Sequence, residues 1–224
     1  MARPFPHRLR CEAPRPSFPE HERRLPWLGP LLDACCIADS GVAEGIRRET
    51  DRGRRLACRK GCAHCCRSHE TVPVYPLELM GIAWYVTEII EGPLRGRLHD
   101  RLAHHRDLPG CPFLVDDSCS IYPLRPMACR LLNVFDRACA PGEDVFYSRH
   151  GDLLTPLPDY REATEYEMLP FYGFCEADER REALRSGRLH QLARVLRDLD
   201  WASLAKRMAA RDAGQPAALD EALP

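Results

Sequence analysis

Apolar residues recur at three- and four-residue intervals along much of the chain, the period of a helix with one buried face. From Trp27 to about Thr50, Leu28, Leu31, Leu32, Cys35, Ile37, Val42 and Ile46 predict an amphipathic helix, weakened by Gly41 and Gly45. Pro76 suits a first helical turn, with Glu78 near the positive end of the dipole. Leu77, Leu79, Met80, Ile82, Ala83, Val86, Ile89 and Ile90 predict that this second helix is deeply buried. A third helix is expected over 94–108, carrying His99, His104 and His105 as surface residues, and a short one over 159–169, ended by Pro170. Leu189, Leu192, Val195, Leu196, Leu199, Leu204 and Met208 read as one long amphipathic helix from Arg188, with a loose tail over 214–224.

Extended pattern is scarce. Glu70–Tyr75 reads as one short strand that Pro73 confines to an edge or a bend, and Val145–Tyr147 as another. Phe113-Leu114-Val115, then Asp116-Asp117-Ser118, then a second extended run signal a hairpin. Residues 1–26 carry six prolines among repeated arginines and are expected to run extended over the surface. The expected fold is mainly α: a single helical domain over 27–213 around a Cys-rich metal core (motif core 58–139) with a small β-hairpin.

Composition narrows the function. With 45% hydrophobic residues and a net charge of −1, the 224-residue chain can bury a core and gives no support to nucleic-acid or membrane binding. Twelve cysteines are many for this length. No apolar signal segment opens the chain and the cysteines are clustered, so ligands in a cytoplasmic protein are expected rather than a disulfide framework. Cys11 reads as incidental, and core packing accounts for at least one of Cys35 and Cys36.

The cluster itself is Cys58-Arg-Lys-Gly-Cys62-Ala-His-Cys65-Cys66, four cysteines in nine residues. Such spacing turns several sulfurs to one side of a tight loop, suiting a thiophilic metal or cluster, and Gly61 permits the backbone angles that wrapping an ion demands. The hairpin would hold Cys111 and Cys119 near one another, and Pro126 would place Cys129 in the first turn of a helix, where free N–H groups favour a thiolate. Arg125 and Arg130 are placed to offset thiolate charge or to donate to sulfur or a bound anion. The aromatic stretch Phe171–Glu176, with Cys175, is more simply core packing than a lid. No G-x-S-x-G, G-x-x-x-x-G-K or G-x-G-x-x-G is present to anchor a hydrolase, P-loop or Rossmann reading.

Together, Cys58–Cys66 and Cys111-Pro-Phe-Leu…Cys119-Ser-Ile-Tyr-Pro-Leu-Arg-Pro-Met-Ala-Cys129-Arg130 resemble the CxxCxxCC cysteine-cluster family, the YkgJ-type zinc- or iron-chelating domain. The resemblance spans about Cys58 to Cys139 and implies Cys58, Cys62, Cys65, Cys66, Cys111, Cys119 and Cys129 as metal ligands, with Cys139 as a weaker eighth. Tyr122, Arg125 and Arg130 are the candidate cofactor-binding residues within that motif. Seven or eight sulfurs at uneven spacings suit an iron–sulfur cluster, with the 4Fe–4S type favoured, or zinc or iron ions in one or two sites. The Cys58-x3-Cys62-x2-Cys65 subset also resembles the cluster loop of radical SAM enzymes, but a helix precedes it and no glycine-rich SAM segment follows. Three functions are compatible with these residues. One is redox or group-transfer chemistry on an unknown small-molecule or protein substrate, as in an iron–sulfur oxidoreductase. The second is a non-catalytic structural zinc module. The third is SAM-dependent protein lysine methyl transfer, because flagellin lysine methylases resemble this family.

Overall fold

The computed structural model describes residue 9 and residues 11–215. Within them the chain is mainly helical, with ten α-helices and two small antiparallel two-stranded sheets. The tail expected over 214–224 lies outside the described residues from 216 onward.

The N-terminal segment is not extended throughout. Pro19–Arg24 forms helix α1, with Pro19 at its first position and Glu20 and Glu22 in its first turn, where the helix dipole favours acidic residues. Ser40 accepts backbone N–H bonds from Glu12 and Ala13, each 3.0 Å, and Cys11 is joined to Cys36 as a disulfide with Cα atoms 5.5 Å apart. That cross-link corrects the reading of Cys11 as incidental; the clustering of the other cysteines had hidden it.

Helix α2 (Leu28–Asp51) runs unbroken through both glycines. They mark close approaches rather than weak points. A Cβ on Gly41 would stand 2.6 Å from Tyr160 Cβ, and one on Gly45 would stand 3.0 Å from Leu154. Removing the side chain lets helix α8 (Pro158–Met168) pack against the α2 backbone.

After α3 (His64–Ser68), β1 (Pro73–Val74) leads into α4 (Pro76–Trp84), which continues as a π-helical turn over Tyr85–Ile89. Helix α5 (Gly92–Ala103) ends earlier than its apolar pattern suggested, in a 3₁₀ turn over His105–Asp107. There His105 is buried, not at the surface, with Nδ1 3.1 Å from the Leu102 carbonyl. Strands β2 (Leu114–Val115) and β3 (Ser118–Cys119) pair as the expected hairpin, with Asp116 and Asp117 both at positive φ, the conformation of a two-residue hairpin turn. Helix α6 (Met127–Leu131) follows Pro126.

Two C-terminal expectations are corrected. Residues 145–148 form a helical turn, α7 (Val145–Ser148), because Asp144 caps it by accepting the Phe146 N–H at 3.0 Å. After α9 (Ala177–Arg185), the stretch from Arg188 is not one helix. Strand β4 (Arg194–Val195) pairs antiparallel with β1, and α10 (Trp201–Asp212) starts afresh behind the Asp200 cap. Tertiary pairing with β1 overrides the helical period of that segment. The largest core, built from α4, α5, the hairpin and α10, takes in Leu98, Phe113, Ile121, Trp201 and Met208, with Cys111 and Cys119 packed on its edge. Among the described residues, no helix is long and apolar enough to cross a membrane.

Candidate metal centre

Three backbone contacts bring the two cysteine motifs together. Gly61 at φ +81° and the Cys62 N–H to Arg59 C=O bond (3.0 Å) turn the loop sharply before α3. The Cys111 N–H donates to the Cys66 carbonyl at 2.7 Å, joining the hairpin to that loop. Gly110 makes this contact feasible. It sits at φ +79°, and a Cβ there would stand 2.9 Å from the Cys66 oxygen. On the other side, Ala57 N–H donates to Val134 C=O (2.8 Å), and Val134 N–H donates to Cys58 Sγ (3.3 Å).

The eight expected ligands fall into two groups. By their mutual electrostatic effects, Cys65 on α3, Cys111 just before the hairpin, Cys119 on β3 and Cys129 on α6 make up the inner one, with Cys66 next to Cys65. Contact with Cys66, then burial, raises the Cys65 thiol; burial first, then the neighbouring sulfurs, pushes Cys111 up to about 12 and Cys129 well above the usual thiol range. The helix start was expected to favour a Cys129 thiolate. Burial and three sulfur neighbours outweigh it, since α6 has five residues. Burial also raises Cys119, and the Arg125 and Arg130 charges partly offset it.

The outer group is Cys58, Cys62 and Cys139, which line a cavity of about 160 Å³ together with His64, Arg59 and Arg67. Cys62 is exposed, and the other two are half-buried. Burial, then the charges of Cys58 and Cys62, raises Cys139, and Arg149 counters them. Cys65 bridges the groups electrostatically, since its charge acts on Cys58 and Cys139 as well as on Cys111, Cys119 and Cys129. Among the described residues, no three His, Cys, Asp or Glu side chains are close enough to enclose a single metal ion.

The arginines reach the site by charge rather than by hydrogen bonds to sulfur. Arg130 is buried; its Nη1 donates to Asp39 at 2.6 Å, its Nε to the Arg125 carbonyl at 3.0 Å, and its Nη2 to the Pro123 carbonyl. Arg125 also holds Asp39 (3.2 Å) and stacks over Tyr122, its Cζ 4.0 Å from the ring centroid. Tyr122 itself is largely exposed. In the aromatic stretch 171–176, Phe171 and Tyr172 pack half-buried against the cluster of Leu31 and Met168, and the Tyr172 hydroxyl accepts the Leu77 N–H at 3.1 Å, whereas Cys175 is exposed.

Two supporting residues escaped the sequence reading. Glu78 caps α4 by accepting the Tyr75 N–H (2.8 Å), as its position suggested, but its other oxygen accepts the Met127 N–H at 2.6 Å. It thus straps α4 to the helix that carries Cys129, and burial pushes its carboxyl up to about 7. Arg101 donates to the Cys111 carbonyl at 3.0 Å and places a cation beside that sulfur. Neither contact has a local sequence signal, since the partners lie 49 and 10 residues away.

The donor set fits a thiophilic metal: eight thiols with arginines near both groups, and a coordinated cation would relieve the cost of burying thiolates. No curated protein and no solved structure matches the chain. Residues 57–141 match the family model CxxCxxCC, described as a putative zinc- or iron-chelating domain, and so are the segment whose cysteine pattern carries the resemblance.

Proposed function

We propose that the inner group, Cys65, Cys111, Cys119 and Cys129, holds an iron–sulfur cluster of the four-iron type, and that the protein uses it in redox or group-transfer chemistry. The convergence of those four sulfurs from three separate elements carries this reading. A cluster needs cysteines spread around a body larger than one ion, and the mutual charge effects among these four sulfurs support their being near enough to share one. Bound there, such a cluster supplies one-electron transfer or a Lewis-acidic iron. The chain's own residues desolvate the sulfurs and set positive charge from Arg101, Arg125 and Arg130 around them, and both factors tune a potential. Anaerobic purification followed by iron, sulfide and zinc analysis tests this. Iron with acid-labile sulfide and a broad visible absorption supports it; a colourless zinc protein overturns it.

A second reading concerns the outer cavity. Its lining carries three cysteines and His64, the residue types of a Cys₃His structural zinc site, and because they are not drawn close enough to enclose one ion as they stand, zinc binding there requires the loop to close around it. Cys58, Cys62, Cys139 and His64 would then hold a second ion. Iron and zinc in one preparation, with zinc lost from Cys139→Ser alone, supports two sites.

A further inference from the structure

The opposite face of α6 closes a second cavity, of about 230 Å³, that no cysteine lines. Met127, Ala128 and Leu131 of that helix form one wall, Val42 of α2 another, and Leu157 and Met168 much of the rest. One end is polar. The Tyr75 hydroxyl lies 2.7 Å from His190 Nδ1, His190 Nε2 lies 3.6 Å from Glu165, and Arg161 Nε lies 3.8 Å from the same carboxylate oxygen. The last two separations are too long for hydrogen bonds, so these pairs leave the Glu165 oxygen able to accept from a ligand. Thr164, also in the lining, spends its hydroxyl on the Tyr160 carbonyl at 2.8 Å.

We infer that this cavity binds a small, neutral, mainly apolar molecule of the phenol class, with its ring among Met127, Leu131, Leu157 and Met168 and its hydroxyl at Tyr75, His190 and Glu165. Size sets the first limit. An apolar protein cavity of ~150 Å³ holds benzene, so about 230 Å³ takes one ring and a few further atoms. Charge sets the second. Glu165 and Arg161 offset one another, so a carboxylate or an ammonium meets a like charge beside its partner, whereas a hydroxyl can donate to the carboxylate and, with His190 Nδ1–H donating to the Tyr75 oxygen, accept from the Tyr75 O–H. The third limit is the apolar wall, which rewards burial but does not tell one ring from another. The inference is independent of the metal reading, although a ligand here would rest on the helix that carries Cys129.

Titration calorimetry of the full chain with p-cresol tests it, with toluene as the isostere lacking the hydroxyl and benzoate and benzylamine as charged comparisons. One p-cresol should bind per chain, toluene about tenfold more weakly, and both charged ligands more weakly than p-cresol, because a site built for a hydroxyl is left with unpaired groups by the analogue. Tyr75→Phe should weaken p-cresol and leave toluene unchanged. Val42→Trp should abolish binding by filling the space, and Leu157→Phe serves if that variant does not fold. Equal affinity for p-cresol and toluene, tighter binding of benzoate, p-cresol binding that survives a folded cavity-filled variant, or no p-cresol binding overturns the inference.

Discussion

The two cysteine groups lie side by side, yet they are built differently. The inner sulfurs are held by a hairpin turn, a glycine contact and a buried carboxylate that straps two helices. The outer sulfurs hang on loops around an open cavity, steadied by a half-buried ion-pair cluster in which Arg149 holds Glu143 at 2.7 Å and also pairs with Asp152. Preorganisation is the lesson. The inner group is positioned by backbone that the whole fold fixes, so its loss should propagate; Cys58 and Cys139 of the outer group pack only against the small cluster of Val134, Val145 and Leu153, apart from the largest core, so changes there should disturb the fold less.

The largest expected effect follows from that difference. Cys111→Ser or Cys129→Ser should lower thermal stability by several kcal/mol, about 10 °C in Tm for a chain of this size, because metal binding and folding are linked. Cys62→Ser, at an exposed position, should shift Tm far less. Equal shifts measured by calorimetry would erase the distinction. Cys11→Ser sharpens it from outside. Opening a disulfide that spans 25 residues should cost about 3 kcal/mol in oxidising buffer while leaving bound metal unchanged. If metal falls with it, stability rather than coordination governs the site.

Gly110→Ala strikes the joint between the motifs. A positive φ and a Cβ 2.9 Å from the Cys66 oxygen together should cost about 2 kcal/mol in chemical denaturation, and metal retention should fall with it. A smaller effect concerns pH. The folded Glu78 carboxyl titrates at about 7 against 4.5 for an unperturbed one, so between those values the unfolded chain holds fewer protons than the folded one. The contribution of Glu78 to stability is therefore full below pH 4.5, declines as pH rises, and levels off above about pH 7. Glu78→Gln should flatten that part of the profile of denaturation midpoint against pH; an unchanged slope would show that Glu78 is ionised throughout.

Much of this was legible from local pattern. Helices α2 and α4, the hairpin and the turn at Gly61 follow from apolar spacing, from Pro76 and from Asp116-Asp117, all of which act within a few residues. What stayed hidden depends on distant partners. The pairing of β4 with β1 breaks a helical period, Cys11 meets Cys36, and Asp39 draws Arg125 and Arg130 away from sulfur. The division of the cysteines into two groups is of the same kind. Their spacing brings Cys58 through Cys66 into one loop, yet the chain beyond, through Val134 on one side and Cys111 on the other, parts them.

The most direct test of the central claim is iron and sulfide content, with the visible spectrum, in two double variants prepared anaerobically. Cys58→Ser/Cys139→Ser should keep about four iron and four sulfide per chain and its colour, as a four-iron cluster on the inner cysteines requires. Cys111→Ser/Cys129→Ser should lose both. A colourless outer variant beside a coloured inner one would contradict the account and move the cluster to the outer loop.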